Sequence, residues 1–370
     1  MKLARRVYDL SVVPLVSIVL ALLLGSLLII VSSLAGASGL NLGLPVVAYL
    51  ALLDGAVGSQ TGIINTVVAA APLIMTGLAV GFGFKAGLFN IGGTGQVLVG
   101  GFVAALTGAA VADLPAPIAV PIAILAGGIA GGIYGLIPGV LKAFTGAHEV
   151  VSTIMLNSLA SFVVVGLVND VFRMTGPSFA RTADVGNAAL PILFGRNGNI
   201  GIIFAVAVIP IVYWLLWRTT LGFEIRTVGA NPSAARYAGM SPRFLIVFTM
   251  TACGMFAGLG GTLEILKLGY YPAVFGTSIG FDGITVALLG RSHPVGILFS
   301  ALLLGAMRAG APAMQIEAKI PVEIVDVIQA LILLFLAAEV VVRRLIRIRA
   351  AGALAEELKT VSQTYGRPSI

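Results

Sequence analysis

Amide side chains stand inside long apolar stretches of this chain, where polar groups are rare. Asn90 and Gln96 flank the glycines of a short segment, residues 92–95. Flexible glycine backbone can expose amides and carbonyls to a partner, and a polar group in apolar surroundings is costly unless it is paired. Hydrogen-bonding groups without fixed charge suit a neutral, hydroxylated solute. Asn90 and Gln96 are therefore candidate residues of a solute pathway.

A second polar pattern begins at Glu149. Ser152, Thr153 and Asn157 follow it, and positions 149, 153 and 157 share one face of a helix. The stripe either lines the pathway or hydrogen-bonds neighbouring helices, and both interpretations stand. We take Ser152, Thr153 and Asn157 as pathway candidates. Glu149 by itself is better explained by its place at a helix start, where a carboxylate interacts favourably with the helix dipole.

A short apolar segment, residues 278–289, carries one acid near its beginning. Asp282 follows two residues after Gly280, so it is a candidate to cap a half-length helix and to shape a gate in the pathway. His293 follows the same segment, but the sequence offers it no evident partner, which speaks against a pH sensor.

A polar loop, residues 221–240, is far longer than a turn between adjacent helices requires. Asn231 can cap a short helix, Pro232 fits its first position, and Gly239 can end it. Its small residues, flanked by arginine, suit docking into a groove of another protein. The alternative is a surface helix that lies against its own chain. The candidate docking residues are Asn231, Pro232, Ser233, Ala234, Ala235, Arg236 and Gly239.

Long apolar helices must position these residues. Of 370 residues, 58% are hydrophobic and 10% are charged, and the mean hydropathy is +1.06. Continuous apolar runs of this length predict membrane-spanning helices and exclude a transmembrane barrel, whose strands alternate apolar and polar residues. The runs lie near 11–34, 62–84, 95–112, 116–140, 150–169, 199–217, 244–266, 294–311 and 321–342.

The basic residues predict the orientation of these runs. Lys and Arg concentrate on cytoplasmic loops, and both ends of the chain are basic, so an even number of crossings is expected. The half-length segment 278–289 supplies the tenth, as a broken helix beside the pathway. The fold class is therefore an all-α, polytopic helical membrane bundle of about ten segments with both termini in the cytoplasm.

The same pattern divides the chain into regions. Residues 1–345 form the transmembrane domain, with a cytoplasmic loop at 218–243 and an external loop at 171–198, and residues 346–370 form a cytoplasmic tail. The first run is too long for the core of a signal peptide, so we expect a retained helix. The patterns Gly127–Gly131 and Gly254–Gly258 predict close helix packing.

The chain lacks the residues that several kinds of functional site require. The chain has one cysteine and two histidines, so neither a metal site nor an acid–base cluster for an intramembrane enzyme is predicted. No lysine completes a phosphate-binding loop, so ATP hydrolysis by that route is excluded. The charge of +7 comes without a basic patch interleaved with aromatic residues, so no nucleic-acid partner is predicted. No cofactor is expected, and lipid is the surrounding medium.

At the polar loop the sequence resembles a family. Residues 233–239 look like the Glu-Ala-Ala…Gly loop of bacterial ATP-binding-cassette (ABC) importer permeases, with Ser233 in place of the Glu. Further stretches resemble the branch that serves nucleosides and simple sugars. They are GFKAGLFNIGGTGQ at 83–96, HEVVSTIMLN at 148–157, IRTVGAN at 225–231 and GFDGITVALLGR at 280–291. Two departures are Thr94 at an acidic position and His148 at an Asn position.

The resemblance implies partners and a division of labour. The loop helix would be the coupling helix that engages a separate ATP-binding subunit, and that subunit would hydrolyse ATP. A second permease subunit, identical or homologous, and an extracytoplasmic solute-binding protein would complete the importer in the bacterial inner membrane. The alternative is a secondary transporter driven by an ion gradient, for which the sequence offers few buried acids.

Overall fold

The computed structural model describes residues 2–35, 40–275, 278–338 and 342, and this part of the chain is predominantly helical. Helices satisfy their backbone groups internally, as an apolar medium requires. They are α1 (Lys2–Ala35), α2 (Leu44–Val57), α3 (Gln60–Lys85), α4 (Gly93–Ala110), α5 (Ala116–Val140), α6 (Glu149–Gly166), α7 (Gly201–Arg218), α8 (Thr220–Ala230), α9 (Pro232–Tyr237), α10 (Pro242–Leu268), α11 (Ser278–Leu289), α12 (Pro294–Ala318) and α13 (Glu323–Ala337).

Smaller elements lie at the helix ends and between α6 and α7. Single π-helical turns, Leu141–Thr145 and Leu167–Val171, continue α5 and α6. Two short antiparallel strands, β1 (Ile192–Phe194) and β2 (Gly198–Asn199), lie in the predicted external loop.

Eight of the described helices are long and apolar enough to cross a membrane, and they coincide with eight of the predicted runs. The helices α2 and α11 are apolar but shorter, and α11 spans the predicted half-length segment, residues 278–289. The prediction of a polytopic helical membrane protein is therefore confirmed. The tail, residues 346–370, lies outside the described residues.

The described residues divide into two compact units. One contains the residues before Val67 and after Ala301. In its core, Ile29 of α1, Leu52 of α2 and Ile328 of α13 are buried together. The Tyr49 hydroxyl donates a hydrogen bond to the Leu22 carbonyl at 2.7 Å, which links α2 to α1.

The other unit, residues 67–301, contains the candidate site residues. Its centre is α10 packed against α4 and α5 through glycines. A side-chain carbon at Gly100 would meet the backbone of Gly258, and one at Gly131 would meet the carbonyl of Gly254. Backbones this close exclude any larger residue. The two predicted glycine patterns therefore pack against each other.

Candidate translocation and coupling sites

The turn between α3 and α4 is held together by two amides. Asn90 Nδ2 donates to Gln96 Oε1 at 2.9 Å, and Gln96 Nε2 donates back to Asn90 Oδ1 at 3.3 Å. Asn90 Oδ1 also accepts from the Gly92 backbone N–H at 3.0 Å. Both side chains are 1% exposed. The two predicted pathway amides thus pair with each other, which removes the cost of burying them.

The polar stripe of α6 faces this same turn. Glu149, Thr153 and Asn157 are buried on one helix face, as the spacing predicts. Asn157 Oδ1 accepts from the Gly95 backbone N–H at 2.8 Å, and its Nδ2 donates to the Ile91 carbonyl at 3.0 Å. For Asn157, these contacts support the second interpretation of the stripe, hydrogen bonding to a neighbouring helix.

The other hydroxyls of the stripe bond within their own helix. Thr153 Oγ1 donates to the Glu149 carbonyl at 2.7 Å, while its methyl side packs towards Gly92. Ser152 is only half-buried, and its hydroxyl donates to the carbonyls of His148 and Glu149. The structure therefore brings Thr153 together with the Asn90–Gln96 turn and leaves Ser152 apart from it.

Glu149 is the first residue of α6, the place predicted for it. Its Oε2 lies 2.8 Å from Nζ of Lys142, and the carboxylate side chain is 2% exposed against 24% for the lysine. The ion pair joins the π-helical turn after α5 to the start of α6. No local pattern indicates this partner, because Lys142 lies in the turn after α5 and Glu149 in α6.

The half-length helix α11 runs alongside the amide turn. A side-chain carbon at Gly280 would meet the backbone of Thr94, and one at Gly283 would meet that of Thr76 in α3. Asp282 is half-buried and lies four residues after the start of α11, so it does not occupy the predicted capping position. The reason is that the helix already begins at Ser278.

The predicted loop helix is present as α9. Asn231 Oδ1 accepts from the backbone N–H groups of Ser233 and Ala234, both at 3.0 Å, and Gly239 ends the helix with φ of +82°. Pro232 stands in its first turn. The capping predicted from the sequence is therefore confirmed.

The residues of α9 differ in their exposure to solvent. Pro232, Ser233, Ala234 and Arg236 are exposed, whereas Ala235 is fully buried against its own chain. Ala235 is thus removed from the predicted docking surface, since the short helix turns that one side inward. Tyr237, which is outside the predicted set, is 95% exposed beside these residues.

An aromatic cluster next to this loop was missed by sequence reasoning. Tyr213 and Trp217 stack in α7 with ring centroids 5.2 Å apart, and His293 packs on both rings at 5.8 and 5.2 Å. Arg226 of α8 lies over Trp217 at 6.0 Å. Burial, and then the positive charge of Lys85, lower the pKa of His293. The i, i+4 spacing of Tyr213 and Trp217 in the sequence could have indicated that these two rings stack on one helix face.

At the predicted external end, two loop segments are tied together. The Thr182 N–H donates to the Tyr271 carbonyl at 3.0 Å, and the Tyr271 N–H donates to Thr182 Oγ1 at 3.0 Å. Arg181 lies 4.4 Å above the Tyr270 ring and pairs with Asp184 at 2.8 Å. An open cavity of about 480 Å³ lies beside these segments, lined by Val165, Asn169, Phe179, Ala180, Pro272, Ala273 and Val274.

Comparisons with known proteins agree with this architecture. Residues 62–337 match the family described as branched-chain amino acid transport system permease component. The guanosine ABC transporter permease protein of Bacillus subtilis is 39% identical over 338 residues, 90% of this chain and 94% of that protein. The nucleoside ABC transporter permease protein of Lactococcus lactis is 35% identical over 344 residues, 89% of this chain and 91% of that protein.

A relative named for a sugar is also similar. The glucose ABC transporter permease protein of Haloferax volcanii is 33% identical over 308 residues, 79% of this chain and 80% of that protein. A permease component of this kind moves a solute through the membrane and is not itself an enzyme. The chain belongs to the family of branched-chain amino acid transport system permease components, as a multi-pass protein of the inner membrane.

Proposed function

We propose that this chain is the permease subunit of an ABC importer that carries nucleosides. The observation that carries the proposal is the similarity along nearly the whole chain, 39% and 35% identity, to permeases named for guanosine and for nucleosides. The amides and hydroxyls of unit 67–301 agree with it, because a wall of polar groups without fixed charge suits a neutral ribose and base. A simple sugar is the second candidate, favoured by the relative named for glucose.

The proposed pathway runs past the turn that precedes α4. Asn90, Gln96, Thr153 and Asn157 surround this turn, and Ser152 and Asp282 lie on the adjoining helices α6 and α11. Because the amides of Asn90 and Gln96 are paired with each other, their role in the proposal is to shape the wall. The N–H groups of Gly92 and Gly95 are bonded to Asn90 and Asn157, so the glycine turn shapes the wall together with these side chains.

The energy would come from a separate ATP-binding subunit that docks on α9. The exposed side chains of Pro232, Ser233, Ala234 and Arg236 support this, since small residues beside a cation fit closely into a groove. Asn231 and Gly239 hold the helix ends. Closure of the partner on ATP would displace α9 and tilt the bundle.

The remaining assembly follows from the same proposal. A second permease subunit, identical or homologous, would share the pathway, and an extracytoplasmic solute-binding protein would deliver the solute to the loop 171–198. Residues 1–345 would form the permease domain, with the coupling loop at 218–243, and residues 346–370 a cytoplasmic tail.

A competition experiment tests the choice of solute. Vesicles containing this chain, its ATP-binding subunit and its solute-binding protein take up labelled guanosine in the presence of excess unlabelled nucleoside, glucose, ribose or leucine. We expect other nucleosides to abolish uptake and glucose, ribose and leucine to leave it unchanged. Competition by glucose would favour the second candidate. Vesicles without this chain are the control.

A further inference from the structure

The turn between α11 and α12 holds an unusual backbone. Arg291 and Ser292 are consecutive non-glycine residues with positive φ, 52° and 51°. Such a conformation persists only where the surroundings enforce it. Here the Ser292 N–H donates to the Ala287 carbonyl at 2.7 Å, and the His293 N–H donates to the Gly290 carbonyl at 3.1 Å. The turn therefore fixes the direction in which His293 leaves α11.

His293 leaves this turn to reach the aromatic pair of α7. Its ring centroid lies 5.2 Å from that of Trp217 and 5.8 Å from that of Tyr213. Burial lowers the pKa of His293, which favours the neutral ring, and that ring packs edge-on against Tyr213 and at a tilt against Trp217. The end of α11 is thus attached to α7 by rings.

Trp217 in turn meets the helix that carries α9. The Arg226 guanidinium of α8 lies 6.0 Å from its ring centroid. The corner between α7 and α8 is tight, because Thr219 Oγ1 accepts from the Gly222 N–H at 3.0 Å and Gly222 packs on the backbone of Leu216. Only Asn231 separates α8 from α9.

The other end of α11 lies against the amide turn, where Gly280 meets the backbone of Thr94. A single short helix therefore touches the aromatic cluster at one end and the proposed pathway at the other. Packed elements with discrete arrangements are what carry a displacement between distant sites.

We propose that the contact between Trp217 and His293 transmits the displacement of the α9 loop to α11. This inference rests on the proposed function, because it assigns to these two residues the coupling of ATP hydrolysis to movement of the solute. Both act as positioning residues. His293 holds α11 to α7, and Trp217 joins that attachment to α8 through Arg226.

The test compares transport with ATP hydrolysis in the complete reconstituted importer. In His293→Ala and Trp217→Ala we expect the ATP-binding subunit to co-purify as in the wild type and ATP hydrolysis to continue. The solute taken up per ATP should fall about tenfold, a typical coupling effect between sites. The ring-retaining variants His293→Phe and Trp217→Phe should restore most of that ratio. Phe299→Ala, which removes a 67% exposed ring from α12, is the control.

An unchanged ratio of solute to ATP in His293→Ala and Trp217→Ala would overturn the inference. So would a parallel fall of uptake and hydrolysis, because that result describes a structural role only. Should an alanine variant fail to assemble, the phenylalanine variants are paired with His293→Asn, which keeps a polar side chain without an aromatic ring. A wild-type importer that hydrolyses ATP but takes up no nucleoside would contradict the proposed function instead.

Discussion

Asn157 of α6 accepts a hydrogen bond from the backbone N–H of Gly95 at 2.8 Å. Its amide nitrogen donates to the carbonyl of Ile91 at 3.0 Å, so one side chain closes the turn before α4 from both sides. Any polar wall that the turn offers to a solute depends on this connection, and Asn157 is therefore a structural residue whatever its part in transport.

Replacing Asn157 by Ala should destabilise the protein. The change removes the partner of the buried Gly95 N–H, which costs about 1–3 kcal/mol, and also that of the partly buried Ile91 carbonyl. We expect a lower midpoint of thermal unfolding in detergent together with reduced uptake. Ser152→Ala is the matched control, since its hydroxyl bonds only within its own helix turn. Equal effects of the two variants would count against the structural role.

The ion pair of Lys142 and Glu149 should show strong coupling. Lys142→Met leaves a buried carboxylate without its cation, and removing one partner of a buried pair costs about 3–5 kcal/mol. Glu149→Gln should cost less, because the cation is partly exposed. The double variant should regain much of the loss of Lys142→Met. The midpoints of thermal unfolding of the wild type, the two single variants and the double variant form a double-mutant cycle. Additive losses would show that the two side chains do not interact.

The surface of α9 makes a prediction for assembly. Ala234 is exposed, and Ala234→Glu adds bulk and charge to the proposed docking face. We expect loss of the ATP-binding subunit during co-purification, while the permease itself stays folded. Ala110→Glu makes the same substitution at an exposed position at the end of α4, and it should leave co-purification intact. The reverse pattern would remove α9 from the coupling site.

The pH dependence of stability should report on His293. Because its pKa is lowered in the folded protein, the unfolded chain binds the proton more readily. The contribution of His293 to the stability of the folded protein is then complete above about pH 6.5, the pKa of the unfolded chain. That contribution is lost as the pH falls from there through the lower pKa of the folded protein. The positive charge of Lys85 acts on the His293 ring, which packs against the rings of Tyr213 and Trp217.

The measurement compares the wild type with His293→Gln at about pH 7.5 and 5.5. On acidification, the midpoint of thermal unfolding should fall further for the wild type than for the variant. A wild type that gains stability relative to the variant at the lower pH would mean that the folded protein favours the charged ring, contrary to the lowered pKa.

Local patterns predicted much of this fold. Apolar runs located the long helices, a shorter apolar segment located α11, and Asn231 with Pro232 marked the start of α9. Each of these signals acts within a few residues of the chain. Lipid and backbone hydrogen bonding then leave few alternatives.

Contacts between segments that are far apart in the chain could not be predicted from the sequence. Nothing local indicates that Asn157 reaches Gly95, that Glu149 meets Lys142, or that His293 finds Trp217. The burial of Ala235 likewise depends on how α9 lies against its own chain. Polar residues inside a membrane protein serve both pathways and packing, and their partners distinguish the two only once the helices are placed.

Uptake with a controlled energy source distinguishes an ATP-driven importer from a secondary transporter. Proteoliposomes contain this chain with its ATP-binding subunit and solute-binding protein, and they receive labelled guanosine with ATP, with a non-hydrolysable ATP analogue, or with an imposed proton or sodium gradient. We expect uptake with ATP alone, and none when the ATP-binding subunit is omitted. Uptake driven by an ion gradient through this chain by itself would contradict it and identify a secondary transporter.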